Sequence, residues 1–111
     1  GLDEISPYAR TNVIQLKNNV ISEIVIDPKK LNINADKFEN LVGDDAKFNA
    51  NKMLEIFKGE DNDFSKAVCL NAAAGLIVNE THEEFSEAYK NAREHILSSE
   101  VIKHLETIQN A

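Results

Sequence analysis

The sequence predicts an α+β fold, in which a short antiparallel β-hairpin precedes about four helices. Two runs rich in Val and Ile near the start are separated by Lys17-Asn18-Asn19, which suits a tight turn. Beyond Pro28 the apolar residues recur at helical spacing instead of forming short β-rich runs. Hydrophobic residues make up 42% and charged residues 28% of the 111 residues, which is typical of one globular domain.

The predicted strands cover Thr11 to Leu16 and Val20 to Asp27, with Asn18-Asn19 as a two-residue turn. Asn tolerates the positive φ angles that such a turn requires. Alternation along the second strand divides its apolar residues between two faces, with Val20, Ile24 and Ile26 on one and Ile21 and Val25 on the other. We therefore expect the hairpin to pack against more than one layer and to need a partner from elsewhere.

Residues 28–33 are predicted to connect the hairpin to the helices, because the proline that opens this segment lacks the N–H that a strand ladder needs. One or two helical turns are predicted over residues 36–41. Asp44 or Asp45 is then expected to cap a helix that reaches Lys58. The glycine that follows Lys58 fits the left-handed residue just past a helix end.

Ala67 to Val78 is the most apolar stretch and predicts a buried helix, because a helix that is apolar on all sides avoids water. Asp63 is a plausible N-cap for this helix. Thr81 and Glu84 have the spacing of a capping box for the next helix. The apolar residues on one side of that helix are Phe85, Ala88, Tyr89, Ala92 and Ile96. A last helix is predicted to follow it, with an apolar stripe of Val101, Leu105 and Ile108.

Composition excludes several classes of function. The net charge is −7 and the 12 Lys and Arg residues are dispersed, so nucleic acid and membrane are poor partners. The single cysteine, Cys69, excludes an internal disulfide, is expected in the core, and fits a reducing, cytoplasmic compartment. The four glycines are isolated, so the chain has no glycine-rich phosphate loop.

The first candidate site is the pair Asp3-Glu4, which precedes Ser6-Pro7 and is therefore expected in a loop. Two adjacent carboxylates offer hard oxygens to Mg²⁺, which usually keeps some waters and also binds substrate phosphates. The simpler interpretation is a solvated surface pair. We interpret the three other adjacent acidic pairs, at 44–45, 60–61 and 83–84, as helix-end or solvated pairs.

Asn71 is the second candidate, because it lies inside the most apolar predicted helix, where asparagine is not favoured. A buried amide must be hydrogen-bonded. The simpler interpretation is a structural bond to a neighbouring loop, and the alternative is a ligand contact. His82, His95 and His104 share no metal-binding motif and are expected at the surface or its boundary.

Four segments, taken together in order, resemble one enzyme family. They are Gly1–Pro7, Ile26–Pro28 after the hairpin, Gly43–Ala46 with Asn49-Ala50, and Leu70–Ala74. Their order and spacing are similar to those of the anthranilate phosphoribosyltransferases over essentially the whole chain. The chain departs from the family at Asp44, which replaces the second glycine of a Gly-Gly-Asp-Ala motif, and at Tyr8-Ala9-Arg10, which replaces a Thr-Gly-Pro-like stretch.

The resemblance implies the C-terminal part of an enzyme that transfers a phosphoribosyl group from phosphoribosyl pyrophosphate to anthranilate in tryptophan biosynthesis. It implies Mg²⁺ as cofactor, with Asp3 and Glu4 as metal ligands, and carries over no catalytic residue. Residues 1–111 would be the C-terminal segment of an α/β domain, with the helical N-terminal domain and the glycine-rich phosphate loop upstream. This chain alone is then expected to be inactive, and its hairpin to join strands of the upstream part.

Two alternatives stay open on the sequence alone. A non-catalytic interaction domain would recruit a partner, such as a second copy, through the exposed edge of its hairpin. A fragment of a pyrimidine nucleoside phosphorylase is the other alternative, because those enzymes are related in fold to the family named above.

Overall fold

The computed structural model describes residues 2–111, which form one two-stranded sheet, two short 3₁₀ segments and four α-helices. The strands are β1 Thr11–Lys17 and β2 Val20–Ile26, and the 3₁₀ segments are Pro28–Leu31 and Phe38–Leu41. The helices are α1 Ala46–Phe57, α2 Asp63–Val78, α3 Phe85–Leu97 and α4 Glu100–Gln109. The predicted hairpin followed by four helices is confirmed.

The hairpin closes through the two asparagines that the sequence singles out. Lys17 pairs with Val20 in an antiparallel register, and Asn18 and Asn19 between them have φ angles of 51° and 62°. Two consecutive positive φ angles give a turn whose twist matches that of the flanking strands. The second strand ends one residue earlier than predicted, because Asp27 instead accepts the Lys29 N–H and caps the first 3₁₀ segment.

Only one face of the hairpin is covered by the described residues. Val13 and Ile26 on the inner face pack with Leu70 of α2. The outer face exposes four large apolar side chains, Ile14 at 68%, Leu16 at 69%, Ile21 at 71% and Val25 at 57%. The radius of gyration of 14.8 Å exceeds the roughly 13 Å expected of a compact chain of this length, in keeping with a half-covered hairpin.

The core consists of two clusters that meet at Tyr89 of α3. One cluster lies among the helices and is built on Ile56, Cys69, Ala92 and Ile96; the other joins α2 to the hairpin through Ile26, Ile33 and Leu70. Burial raises the pKa of the Cys69 thiol to about 11, so this side chain stays a protonated core residue at neutral pH. The prediction of a small core hydrophobe at this position is confirmed.

The expectation that α2 is buried on all sides is wrong for one face. Leu70 and Ala73 are fully buried, whereas Val68 is 39% and Val78 is 83% exposed, and the alanine at 72 between them is exposed as well. Val68 and Ala72 lie one turn apart on this face, and Val78 lies further round the helix near its end. Val68 and Ala72 border an apolar groove of about 340 Å³ that residues of α1, α3 and α4 also line, whereas Val78 borders a separate pocket beneath the hairpin.

The structure confirms the predicted cap of α1 and corrects that of α2. Asp45 caps α1 as predicted, and Gly59 beyond its end has a φ of 98°. The cap of α2, however, is Asn62 rather than Asp63. The Asn62 side chain accepts the Ser65 N–H at 3.0 Å while the Ser65 hydroxyl accepts the Asn62 N–H at 2.9 Å, which is a reciprocal capping box.

Thr81 ends α2 instead of starting α3. Its N–H and its hydroxyl both donate to the Leu76 carbonyl, at 3.1 and 3.0 Å, and Glu80 adopts a φ of 57°. This left-handed closure satisfies the last carbonyls of α2, with Glu80 where glycine is usual. Glu84 occupies the N-cap position of α3 without a side-chain cap bond, so the predicted Thr81–Glu84 capping box is wrong.

Asp63 does not cap α2. Its buried carboxylate instead joins α2 to the loop before β1 and to the chain around the second 3₁₀ segment. Its oxygens accept hydrogen bonds from the Tyr8 hydroxyl at 3.0 Å, the Asp36 N–H at 3.1 Å and the Asn40 amide at 2.9 Å. Lys66 completes the set with an ion pair of 3.0 Å. Burial alone would raise the pKa of Asp63, but these donors outweigh it and hold that pKa well below its usual range.

We expect Ala73→Asp to unfold the protein, because it places an unpaired charge at a fully buried position. Ala72→Asp is the matched control, since its side chain enters water from the adjacent position of the same helix. Circular dichroism with thermal unfolding measures both variants. A folded Ala73→Asp variant with the thermal midpoint of the control would contradict the buried position of Ala73.

We expect Asp63→Asn to cost roughly 2 kcal/mol at neutral pH, because it removes the charged acceptor of a buried network. The folded pKa is lowered, so the contribution of Asp63 is complete above the unfolded value of about 3.9 and is lost as the pH falls below it. Urea unfolding between pH 7 and pH 3 should therefore show a weaker acid dependence in the variant. Asp36→Asn removes an exposed carboxylate nearby and is the control; equal acid profiles for all three proteins would refute the prediction.

Candidate functional site

The acidic pair Asp3-Glu4 lies in the loop before β1, as predicted, and both side chains are exposed. Glu4 lies on the wall of an open cleft of about 590 Å³, which Tyr8, Arg10 and Phe38 also line. The pair is therefore accessible to a ligand from solvent and is not enclosed by the described residues.

Asn71 binds the loop that carries this pair. Its side-chain oxygen accepts the Ile5 N–H at 2.9 Å, and its amide nitrogen donates to the Ile5 carbonyl at 3.2 Å. The same nitrogen also donates to the Ala67 carbonyl of α2 at 2.9 Å. The predicted structural bond from Asn71 to a neighbouring loop is confirmed, and that loop is the one with Asp3 and Glu4.

Further contacts fix the loop between Ile5 and the first strand. Pro7 is fully buried. The Ser6 N–H donates to the Thr11 hydroxyl at 3.2 Å, and the Tyr8 N–H donates to the Ser6 hydroxyl at 3.1 Å. The acidic pair thus extends from a loop that is well anchored on its C-terminal side.

The Tyr8 hydroxyl adds the contact that the sequence analysis did not identify. Burial, and then its hydrogen bond to Asp63, raise the pKa of Tyr8 to about 12, so the phenol stays a donor at neutral pH. The two residues are 55 positions apart, and no local spacing relates them. The only signal in the sequence was that Tyr8-Ala9-Arg10 departs from the resembled family.

Arg10 brings a positive charge to the same cleft. Its Nε donates to the buried Asp27 carboxylate at 2.9 Å, while 73% of the Arg10 side chain is exposed. Burial alone would raise the pKa of Asp27, but the bonds from Arg10 and the Lys29 N–H outweigh it and lower that pKa. Asp27 therefore stays ionised and fixes the direction of the Arg10 side chain.

The other acidic pairs have the helix-end and solvated roles that we expected. Asp45 caps α1, Asp61 forms an ion pair with Arg93, and both carboxylates at 83–84 are exposed. Of the three histidines, His95 and His104 are exposed and His82 is half-buried.

The motif around Gly43 is a rigid turn. Asn49 brackets Asp44, accepting its N–H at 3.1 Å and donating to its carbonyl at 3.0 Å. A Cβ atom at Gly43 would lie 2.7 Å from the Asn49 side-chain oxygen, so a larger residue at this position would displace the Asn49 amide. Asp44 is exposed and is not among the residues with positive φ, so it replaces the second glycine of the family without backbone strain.

The donors present are compatible with a sparsely coordinated Mg²⁺. Within residues 2–111, no group of three or more His, Cys, Asp or Glu side chains is arranged to hold a metal ion. A metal ion held by Asp3 and Glu4 would have two carboxylate ligands from this chain, and its remaining positions would be left to water or phosphate. This donor set suits Mg²⁺, whereas a structural zinc site takes four protein ligands.

No helix in the described part of the chain is both long and apolar enough to cross a membrane.

Comparison with known proteins finds relatives that match nearly the whole chain. The chain is similar to the anthranilate phosphoribosyltransferase of Pelagibacter ubique (strain HTCC1062), with 72% identity over 110 residues, which are 99% of this chain and 33% of that protein. It is also similar to the enzymes of that name from Alkaliphilus metalliredigens and Priestia megaterium. The identities are 40% over 94 residues (85% of this chain, 28% of that protein) and 34% over 111 residues (99% and 33%).

The chain spans about a third of the length of these curated relatives. Residues 1–101 match the model of the glycosyl transferase family, a/b domain. Because that match covers nearly all of the sequence, the chain belongs to this glycosyl transferase family.

Proposed function

We propose that residues 1–111 are the C-terminal part of an anthranilate phosphoribosyltransferase, a segment of its α/β domain. The complete enzyme would transfer a phosphoribosyl group from phosphoribosyl pyrophosphate to anthranilate and release pyrophosphate. The observation that carries the proposal is the 72% identity over 110 residues to a protein of that name.

Within that enzyme we assign Asp3 and Glu4 to the binding of Mg²⁺. The assignment is supported by their exposure, by the anchored loop that carries them and by the open cleft at Glu4. The chemistry that a bound Mg²⁺ supplies is neutralisation of the pyrophosphate charge as this group leaves the ribose carbon. The role of this chain would be to hold the two carboxylates where the ion they bind can also contact the pyrophosphate.

The half-covered hairpin supports the proposal that residues 1–111 function together with a further part of the enzyme. An isolated hairpin is marginal in water, and the outer face of this one exposes four large apolar side chains. We therefore expect the upstream part of the enzyme to cover that face, and residues 1–111 alone to be inactive. A reducing, cytoplasmic compartment is in keeping with the buried, protonated thiol of Cys69.

We expect phosphoribosyl transfer to appear when residues 1–111 are mixed with the upstream part of the enzyme, and neither part to be active alone. The measurement is the consumption of anthranilate, followed by its fluorescence, in the presence of phosphoribosyl pyrophosphate and Mg²⁺. The control is the same mixture with Ala73→Asp in residues 1–111, which removes the fold of this part. Phosphorolysis of nucleosides by the mixture would indicate the related phosphorylases instead, and absence of both activities would favour an interaction domain.

We expect Asp3→Ala in the complete enzyme to raise the Mg²⁺ concentration for half-maximal activity, by an order of magnitude or more, because it removes one of two carboxylate ligands. Its thermal midpoint should stay near that of the parent enzyme, since Asp3 is exposed. Glu83→Ala, at an exposed acidic pair outside the site, is the control. An unchanged Mg²⁺ titration in Asp3→Ala would reject the metal assignment.

A further inference from the structure

We propose that Asn71 is a positioning residue for the metal-binding pair. Its side chain binds both the N–H and the carbonyl of Ile5, the residue that directly follows the pair. The inference rests on the proposed function in that it takes Asp3 and Glu4 to be metal ligands. Asn71 itself is not a ligand in this proposal: within residues 2–111 its side chain forms hydrogen bonds to the main chains of Ile5 and Ala67.

The geometry acts directly on Glu4. The Ile5 N–H that Asn71 accepts at 2.9 Å belongs to the peptide group that joins Glu4 to Ile5. Because a peptide group is planar, a bond to its N–H also fixes the orientation of the Glu4 carbonyl and α-carbon. The second bond, from the Asn71 nitrogen to the Ile5 carbonyl at 3.2 Å, fixes the next peptide group in the same way.

The Asn71 side chain is itself held in one orientation. Its oxygen faces an N–H, and its nitrogen faces two carbonyls, those of Ile5 and Ala67. Exchanging the oxygen and the nitrogen would lose all three bonds, so the amide cannot rotate by half a turn without cost. Its base is rigid as well, because the neighbouring Leu70 of α2 is fully buried.

A purely structural role explains these bonds less well. The loop is attached to the core without Asn71, through the fully buried Pro7 and through the Tyr8–Asp63 hydrogen bond. Alanine would also suit this helix better than asparagine, and three alanines follow at positions 72–74. What Asn71 contributes beyond those contacts is the orientation of the residues on the far side of Pro7, where the acidic pair lies.

The test uses the complete enzyme with Asn71→Ala, which keeps the helix and removes the three bonds. The control is Asn49→Ala, because Asn49 makes the same two-sided bond to the main chain of Asp44, in a turn that has no assigned ligand. Mn²⁺ binding in the presence of pyrophosphate, measured by electron paramagnetic resonance, reports on the metal independently of turnover. The Mg²⁺ concentration for half-maximal activity and the thermal midpoint are measured beside it.

We expect Asn71→Ala to weaken Mn²⁺ binding on the order of tenfold, the usual effect of losing a residue that orients a metal ligand. The Mg²⁺ requirement should rise by a similar factor, while the thermal midpoint changes no more than in Asn49→Ala. The Asn49→Ala enzyme should bind Mn²⁺ like the parent. Should Asn71→Ala prove unstable, Asn71→Ser carries the same expectation, because a serine side chain is too short to bridge both groups of Ile5.

Asp3→Ala in the same assay separates this inference from the proposal on which it rests. Weaker Mn²⁺ binding in Asp3→Ala together with parent-like binding in Asn71→Ala would overturn the positioning role alone. Parent-like binding in both variants would overturn the metal assignment of the pair and the positioning role with it. Equal weakening in Asn71→Ala and Asn49→Ala would also overturn the positioning role, because it would trace the effect to general loosening.

Discussion

The buried carboxylate of Asp63 is the interaction on which the arrangement of this chain most depends. A charge removed from water is tolerated only when its hydrogen-bonding capacity is satisfied. Asp63 achieves this with donors from the loop before β1, from the second 3₁₀ segment and the residues just before it, and from its own helix. Displacing any one of these segments would leave the carboxylate short of a donor, so their positions depend on one another.

The α2 helix acts as the frame for the candidate site because it provides two anchors for a single loop. Asp63 in its first turn binds Tyr8, and Asn71, about 12 Å further along the helix axis, binds Ile5. A loop held at two points of a rigid helix has little freedom between them. The exposed pair Asp3-Glu4 continues from the second of these points, so a polar surface feature takes its position from a helix of the core.

Local patterns predicted most of the secondary structure, because the signals that decide it lie close together in sequence. The Asn18-Asn19 turn, the Asp45 cap and the apolar spacing of α3 all act over a few residues. The errors arose where neighbouring polar residues compete. Asn62 and Asp63 are both good caps, and Thr81 was as able to close α2 as to open α3.

The sequence indicated which polar groups need a tertiary hydrogen bond, but it did not identify the residues that provide one. A polar group in an apolar helix must be satisfied, so Asn71 was expected to bind a loop, but Ile5 is 66 positions away and no pattern marks it. The Tyr8–Asp63 bond was missed altogether for the same reason. The exposed face of α2 was also missed, because composition shows how apolar a helix is and not which neighbours cover it.

The outer face of the hairpin has a consequence for the behaviour of these residues when they are separated from a covering layer. In residues 2–111 the hairpin presents an apolar surface and unpaired strand edges, which favour association between molecules. Electrostatic repulsion between molecules, each with a net charge of −7, opposes this association. Such repulsion extends only about 8 Å at physiological ionic strength and vanishes near the isoelectric point of about 4.9. The colloidal stability of the isolated polypeptide is thus governed by salt and acidity, whereas a covered hairpin would be indifferent to both.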